Sequence, residues 1–348
     1  MVDRDDAVDS LTRQMADLIV KESTRSSKRL SMPTPELTIE FDLLAIYMMK
    51  CERKTYEGRN IMMVAWFGAP PIVIAKIWEL LVMHELLDPK AKKKHLLWAL
   101  YFLKEYPNMS CMGKAVVGKR DTRIPVEKTL HLWVWIMIEA IADLKDVVIN
   151  WENRRTNDRG NDAMAGVDGI DIKFQQILVV NPKIPYKMMI NKALNSHKFH
   201  GPALRYEVGT SLLSDDYVWL TGPWLPGDWN DITIFRQFLI HELDDDERIE
   251  ADDGYIGEAP DKVICPGSAE NIGNAERCAM RARAQGRIEV FNRHIKFFGC
   301  LRKPFISTGT SAQKVEKHGF MTYSCVIIKQ IAMDLGVNSM YKLGDDYK

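Results

Sequence analysis

The chain lacks any net charge: 47 Lys and Arg residues face 47 Asp and Glu residues over 348 positions. That balance removes the argument for nucleic-acid binding from a global basic excess, so any contact with DNA has to come from local asymmetry. Paired cysteines are missing too. Cys51, Cys111, Cys265, Cys278, Cys300 and Cys325 lie far apart with no paired spacing, which argues against a zinc ribbon or a disulfide framework. A basic-then-apolar start is absent, since Met1 to Asp9 is acidic, and the expectation is a reducing compartment rather than secretion. The most hydrophobic stretch, Ile61 to Met83, is interrupted by Gly68, Pro70, Pro71, Lys76 and Glu79. It predicts a helix of a soluble domain starting near Pro70, and no membrane partner. No internal repeat is evident.

What is present is ample apolar material. With 46% hydrophobic residues, a chain of this length can fill two cores. Residues 1–35 are polar, with Ser23, Ser26, Ser27, Pro33 and Pro35, and read as a mobile leader. Residues 36–155 carry helical periodicity: Pro71 to Leu87, His95 to Tyr106 and Pro125 to Asn150 each repeat apolar residues at steps of three and four. Trp98, Trp133 and Trp135 read as packing residues of this all-α domain. Between Cys111 and Ile138, Gly118 to Arg123 reads as a polar turn between two helices, the second opened by Pro125. A helical hairpin and a helix-turn-helix DNA reader share that pattern. Lys90, Lys92, Lys93 and Lys94 are either a nuclear import signal or a solvated loop. Trp151 to Gly166 is hydrophilic and reads as the connector to an α/β domain over 156–310. Residues 311–348 read as a tail with a short helix from Tyr323 to Leu335.

Three carboxylates in the second domain carry the chemistry. Asp168 ends the run Ala163 to Val167 and precedes Gly169, the layout of a strand delivering an acid to its edge. Asp252 follows the alternating stretch from Arg248, with Gly254 supplying a turn, and Asp253 is its one-residue alternative. Glu289 lies inside a helix from Glu276 to Phe298, beside the buried stripe Ile288, Phe291, Ile295 and Phe298. Oxygen-only ligands suit magnesium or manganese, and three close carboxylates make electrostatic sense chiefly around a cation. The plain alternative for each is a turn residue or a solvated helix residue. Local charge asymmetry accompanies them: Glu242 to Asp261 is dense in acids, and the following helix bears Arg281, Arg283, Arg287, Arg293 and Lys296. These five are the candidate phosphate contacts, against the alternative of a solvated face. Asp231 and the loop Pro226-Gly227-Asp228 either support the site or border the DNA channel, or form a turn with Asp231 as the N-cap of a helix from Ile232 to Leu243, and the cap is the favoured reading.

Three blocks resemble the catalytic domain of DDE transposases, in particular the PIF/Harbinger-like superfamily and its related endonucleases. The first is Val167-Asp168-Gly169 followed by Ile172 to Gln175. The second runs from Ser196-His197-Lys198-Phe199-His200-Gly201-Pro202 to Gly209, then Val218 to Gly227 and Asn230-Asp231-Ile232. The third joins Glu250 to Tyr255 with Arg281-Ala282-Arg283, Arg287-Ile288-Glu289, Asn292 and Lys296 to Leu301. The resemblance covers roughly residues 160–305, the size of one domain. It implies an RNase H-like fold, Asp168, Asp252 and Glu289 as a triad binding Mg2+ or Mn2+, and a DNA transposase or endonuclease in the nucleus. It further implies assembly on paired DNA ends and a Myb-like DNA-binding partner. A noncatalytic DNA-binding protein and a nuclease acting on RNA or hybrids are the other readings.

Overall fold

The computed structural model describes residues 30–50, 55–118, 124–155, 163–180, 188–212, 214–267 and 275–337. The expected leader, apart from its last residues, and the polar turn at 119–123 lie outside the described residues. The chain divides into two compact units. One comprises the chain to Val148 with Phe297–Cys300 and the segment from Tyr323, and the other comprises Ile149–Lys296 with Leu301–Thr322.

The first unit is helical: α1 Pro35–Met49, α2 Tyr56–Phe67, α3 Pro71–Met83, α4 Lys93–Glu105, α5 Met109–Ala115, α6 Glu127–Ala142 and α7 Lys145–Val148. Helix α3 starts on its proline, as expected, because a helix's first N–H groups need no intrahelical acceptor. Its residues Pro71 to Ile77 are buried throughout. No single described helix is long and apolar enough to cross a membrane; the pair Glu57–Phe67 and Pro71–Met83 passes a length-and-composition test only together, bent by 57°. Gly68 makes the bend with φ +76°, a left-handed conformation that glycine adopts freely, and a Cβ there would fall 2.5 Å from the Phe298 ring. Trp98 is buried, and Trp133 and Trp135 pack their rings on His95 and Phe102, which is the packing role expected of them.

The second unit is α/β, built on a mixed sheet flanked by helices. Its strands are β1 Ala163–Lys173, β2 Leu178–Val180, β3 Met188–Ile190, β4 Asn195–Ser196, β5 Gly201–Ser211, β6 Tyr217–Trp224, β7 Arg248–Glu250 and β8 Val263–Ile264. Its helices are α8 Asp231–Gln237 and α9 Ala275–Ile295, while α10 Gly299–Arg302 and α11 Ser311–Asp334 each have residues in both units. Central β1 pairs antiparallel with β5 and parallel with β7; β6 and β4 pair antiparallel with β5, and β8 lies parallel to β7. Strands β2 and β3 form a separate hairpin.

Three expectations change here. Strand β1 does not end at Asp168: it runs on to Lys173 with Ile170 and Ile172 buried on the face that bears Asp168, so Asp168 lies in the strand interior opposite Val208. The connector is not all solvated. Trp151–Arg155 is a short 3-10 helix whose Arg154 is fully buried, with Nε and Nη2 donating to Glu247 at 2.5 and 2.8 Å. The C-terminal helix is long, starting at Ser311 instead of Tyr323.

The stripe on α9 is as expected for Ile288, Phe291 and Ile295, all buried. The close approach behind it is set by Gly166, where a Cβ would stand 2.6 Å from Ile288 Cδ1. Helix α9 therefore lies tight on the face of β1 that bears Gly166 and Asp168, since alternate residues of a strand share a face.

Candidate functional site

The last parallel pair between β1 and β7 is Gly166 with Glu250. Asp168 and Asp252 each stand two residues beyond it, so neighbouring parallel strands carry both acids past the point where pairing stops. The backbone at Asp252 stays extended (φ −80°, ψ 178°) before a 3-10 turn, and its Oδ1 accepts from the Gly254 N–H at 2.9 Å. Asp253 turns elsewhere, its Oδ1 accepting from the Gly267 N–H at 2.7 Å, so the structure favours Asp252 over its neighbour as the acid beside Asp168.

The Asp168 side chain is only 19% exposed. Burial pushes its carboxyl up to about 6; Lys198 opposes this, while Asp252 and Asp231 add to it by charge repulsion. Helix α9 supplies Asn292, whose Nδ2 donates to Asp168 Oδ2 at 2.7 Å. Lys198 Nζ donates to the Gly169 carbonyl at 2.6 Å and stands 3.9 Å from Asp168 Oδ1. Lys296, one turn beyond Asn292, has its ammonium pKa lowered by burial and by Lys198, against the pull of Asp168 and Asp171. The carboxylates thus share a half-buried neighbourhood with two lysines.

For Asp231 the favoured reading as an N-cap is overturned, and the alternative of a residue supporting the site remains. Asn230 is the N-cap of α8, its Oδ1 accepting from the Thr233 N–H at 2.9 Å, which leaves Asp231 as the first helical residue with its carboxylate free of the cap. That carboxylate comes so close to Gly169 that a Cβ there would fall 1.9 Å from Asp231 Oδ1. Burial raises its pKa, with Arg205 and Lys198 opposing and Asp252 adding. Arg205 itself is held by Asp171 through Nε and Nη2 at 2.7 and 3.0 Å, and its Nη1 lies 3.2 Å from Asp231 Oδ1.

Glu289 is exposed on α9, one turn before Asn292 on the same flank of the helix. It is therefore on the element that reaches Asp168 but is not drawn into the half-buried cluster. Of the expected phosphate contacts, two are engaged internally. Arg281 is buried with Nε donating to Glu250 at 3.3 Å, and Arg287 donates to the Ser211 carbonyl at 3.1 Å, to Asp215 at 2.9 Å and to the Ser214 carbonyl. Arg293 is exposed and Lys296 half-buried, both near the cluster in helix position; the Arg283 side chain lies outside the described residues.

The donor chemistry suits a hard divalent cation, being all oxygen. Two buried acceptor atoms at the site, Asp231 Oδ1 and Asn292 Oδ1, receive no aligned hydrogen bond. The side chains are not closed around a point: among the described residues, no group of three or more His, Cys, Asp or Glu is gathered so as to hold a metal ion. Asn292 and Lys198 are the groups turned to Asp168.

Comparison of the chain with known proteins finds no matching family model, no matching curated protein and no matching solved structure.

Proposed function

We propose that the second unit is an RNase H-like nuclease domain of the DDE transposase type, cleaving DNA phosphodiesters with a divalent metal. The observation that carries this reading is the placement of Asp168 and Asp252 side by side, beyond the last pair of two parallel strands, with α9 crossing behind them. The sheet order β6, β5, β1, β7, β8, antiparallel on one side of β1 and parallel on the other, supports the RNase H-like part of it.

Asp168 and Asp252 would hold Mg2+ or Mn2+, with Glu289 closing in from α9 and Asp231 from α8. When bound, the metal would supply Lewis acidity at the phosphoryl oxygens and acidify a bound water. The chain's own residues do the rest. Asn292 fixes the Asp168 carboxylate by its Nδ2 donor and so orients the Oδ1 lone pairs. Lys198 and Lys296 place positive charge beside the acids, where a phosphate oxygen approaching the cluster would otherwise be repelled. Exposed Arg293 can bear on the backbone without reading sequence. A freed 3′-hydroxyl held at the same acids could attack a second duplex, the joining step of a transposase. Assembly of two copies on paired DNA ends, a Myb-like DNA-binding partner and a nuclear location with the Lys90 to Lys94 segment as import signal belong to the same reading.

The test is nicking of DNA, RNA and hybrid substrates with magnesium and with chelator. Asp168→Asn is expected to bind DNA nearly normally and to lose metal-dependent nicking entirely. Unchanged nicking by the purified variant, or nicking confined to RNA or hybrids, overturns the reading. Glu289→Gln and Asp231→Asn, measured alongside, tell which of the two completes the ligand set.

One observation favours a second, noncatalytic reading: the Lys198 ammonium already lies beside Asp168 and binds the Gly169 carbonyl, acting as an internal counter-ion. A DNA-binding protein of this fold would then show no nicking under any metal, and Asp168→Asn would leave its DNA affinity unchanged.

A further inference from the structure

We infer that the turn Ser196–His200, whose Lys198 reaches the acidic cluster, is a contact for an unpaired DNA nucleotide, with Phe199 stacking on its base. The inference rests on the DNA-nuclease reading for the identity of the strand, but its own support is the construction of the turn.

Ser196 ends the two-residue strand β4, and its side chain is fully buried. Its hydroxyl donates to Asp171 Oδ2 at 2.5 Å and accepts from the backbone N–H groups of Lys198 at 3.1 Å and Phe199 at 3.3 Å. One donor and two acceptor sites are all that a hydroxyl has, so each is in use. Asp171 is anchored in turn by the two bonds from Arg205. At the far end His200 has φ +51°, a left-handed conformation that a residue with a side chain adopts at a cost of about 1 kcal/mol. The shape of the turn is therefore dictated from the interior, by a buried network extending to β1 and β5, and not by solvent.

Outward, this turn presents one aromatic and three basic or imidazole side chains. His197, Lys198, Phe199 and His200 are all exposed. Phe199 as a residue is 38% exposed, and the Lys173 ammonium stands 5.5 Å from its ring centroid. Lys198 stretches back to the Gly169 carbonyl and towards Asp168, which ties the turn to the cluster through one residue. A single exposed aromatic is ordinary on any surface. An aromatic beside the Lys173 ammonium, on a preset turn whose Lys198 reaches Asp168, is the arrangement that holds a single strand: cations on the backbone and a ring under the base. A paired base cannot reach such a ring, because both its faces are already stacked in the duplex.

The experiment uses the whole chain in chelator, so that no cleavage occurs, with oligodeoxynucleotides carrying 2-aminopurine in a single strand, in a duplex with one unpaired position, and in a fully paired duplex. The wild type is expected to quench the probe in the first two. Phe199→Ala should abolish the quenching and weaken binding to them about tenfold, while binding to the paired duplex stays within about twofold. Phe199→Trp should restore both, and equal melting temperatures show that the variants fold. Unaltered quenching and affinity in Phe199→Ala, equal losses on all three DNAs, or tighter binding of the matching RNA strand would each overturn the inference. Failure here is separable from failure of the nuclease reading. Magnesium-dependent nicking with quenching indifferent to Phe199 removes the stacking contact alone, and Phe199-dependent quenching without nicking removes the nuclease alone.

Discussion

Glu207 is fully buried in β5, and burial pushes its carboxyl up to about 8 although Trp219 Nε1 donates to it at 2.9 Å and Tyr255 Oη lies at 3.3 Å. It stays protonated in the folded protein across a range where the unfolded chain ionises near its ordinary 4.5. Its proton thus stabilises the fold fully below about pH 4.5, and that stability is lost as pH rises to about 8. Glu207→Gln is likewise neutral: its carbonyl oxygen can accept from Trp219 Nε1 and its amide can donate to the Tyr255 hydroxyl, which turns from donor to acceptor. The variant is expected to unfold with less pH dependence and to exceed the wild type by a few kcal/mol, on the order of 3, at pH 8, the two converging near pH 5 in denaturant titrations. Equal slopes of stability against pH would show Glu207 ionised in the fold. Arg154 makes the complementary case, a polar-looking residue of a hydrophilic stretch that is buried against Glu247. Arg154→Ala leaves that carboxylate uncompensated and should destabilise the protein by about 3–5 kcal/mol, read as a lowered melting temperature. Neither role is legible in sequence, because an isolated Glu or Arg carries no sign of its partner until the strands are laid together. Asp168 and Asp252 are legible, since both follow apolar, strand-like runs.

Among the elements, β1 and α9 do most to build the site, and the sequence announces them unequally. The stripe Ile288, Phe291 and Ile295 reads directly as the buried side of α9. The full length of β1 does not, because Asp168 and Gly169 look like a strand end, and Ile170 and Ile172 are buried on the opposite face from Ala165 and Val167, which breaks the period the sequence shows. Helix α8 hides its key residue in the same way: Asn230 and Asp231 are equivalent cap residues by type, and only the observed bond from the Thr233 N–H separates them. Asn292 and Lys198, both near Asp168, fall inside the blocks that carry the family resemblance, but no spacing or periodicity singles them out there. Two glycines of β1 yield opposite expectations. Gly169→Ala places a methyl group 1.9 Å from Asp231 Oδ1, so the Asp231 carboxylate must leave its place. Nicking is expected to fall at least as far as in Asp231→Asn, with little change in melting temperature. Gly166→Ala pushes on Ile288 at 2.6 Å and should instead lower stability by about 1–3 kcal/mol through overpacking. If Gly169→Ala retains full activity, Asp231 has no part in the site.

In the molecule taken together, the order of a helical unit followed by an α/β unit follows from periodicity alone, three- and four-residue steps giving way to short alternating runs. The boundary between them is less legible. The second compact unit begins at Ile149, ahead of the connector whose composition marks a break, because Trp151 and Arg154 pack with Glu242 and Glu247 inside it. The long helix α11, with its first part in one unit and its last part in the other, likewise could not be divided by inspection. A balanced net charge gives no help in finding the nucleic-acid face, and two arginines that look free on the sequence are tied to Glu250 and Asp215. The central claim is that Asp168 and Asp252 jointly bind a divalent cation. Paramagnetic resonance of Mn2+ titrated into the wild type and into Asp168→Asn/Asp252→Asn measures that without reference to turnover. The wild type is expected to bind manganese and the double variant to lose that binding while keeping its melting temperature. Manganese bound equally by both, or by neither, would contradict the account.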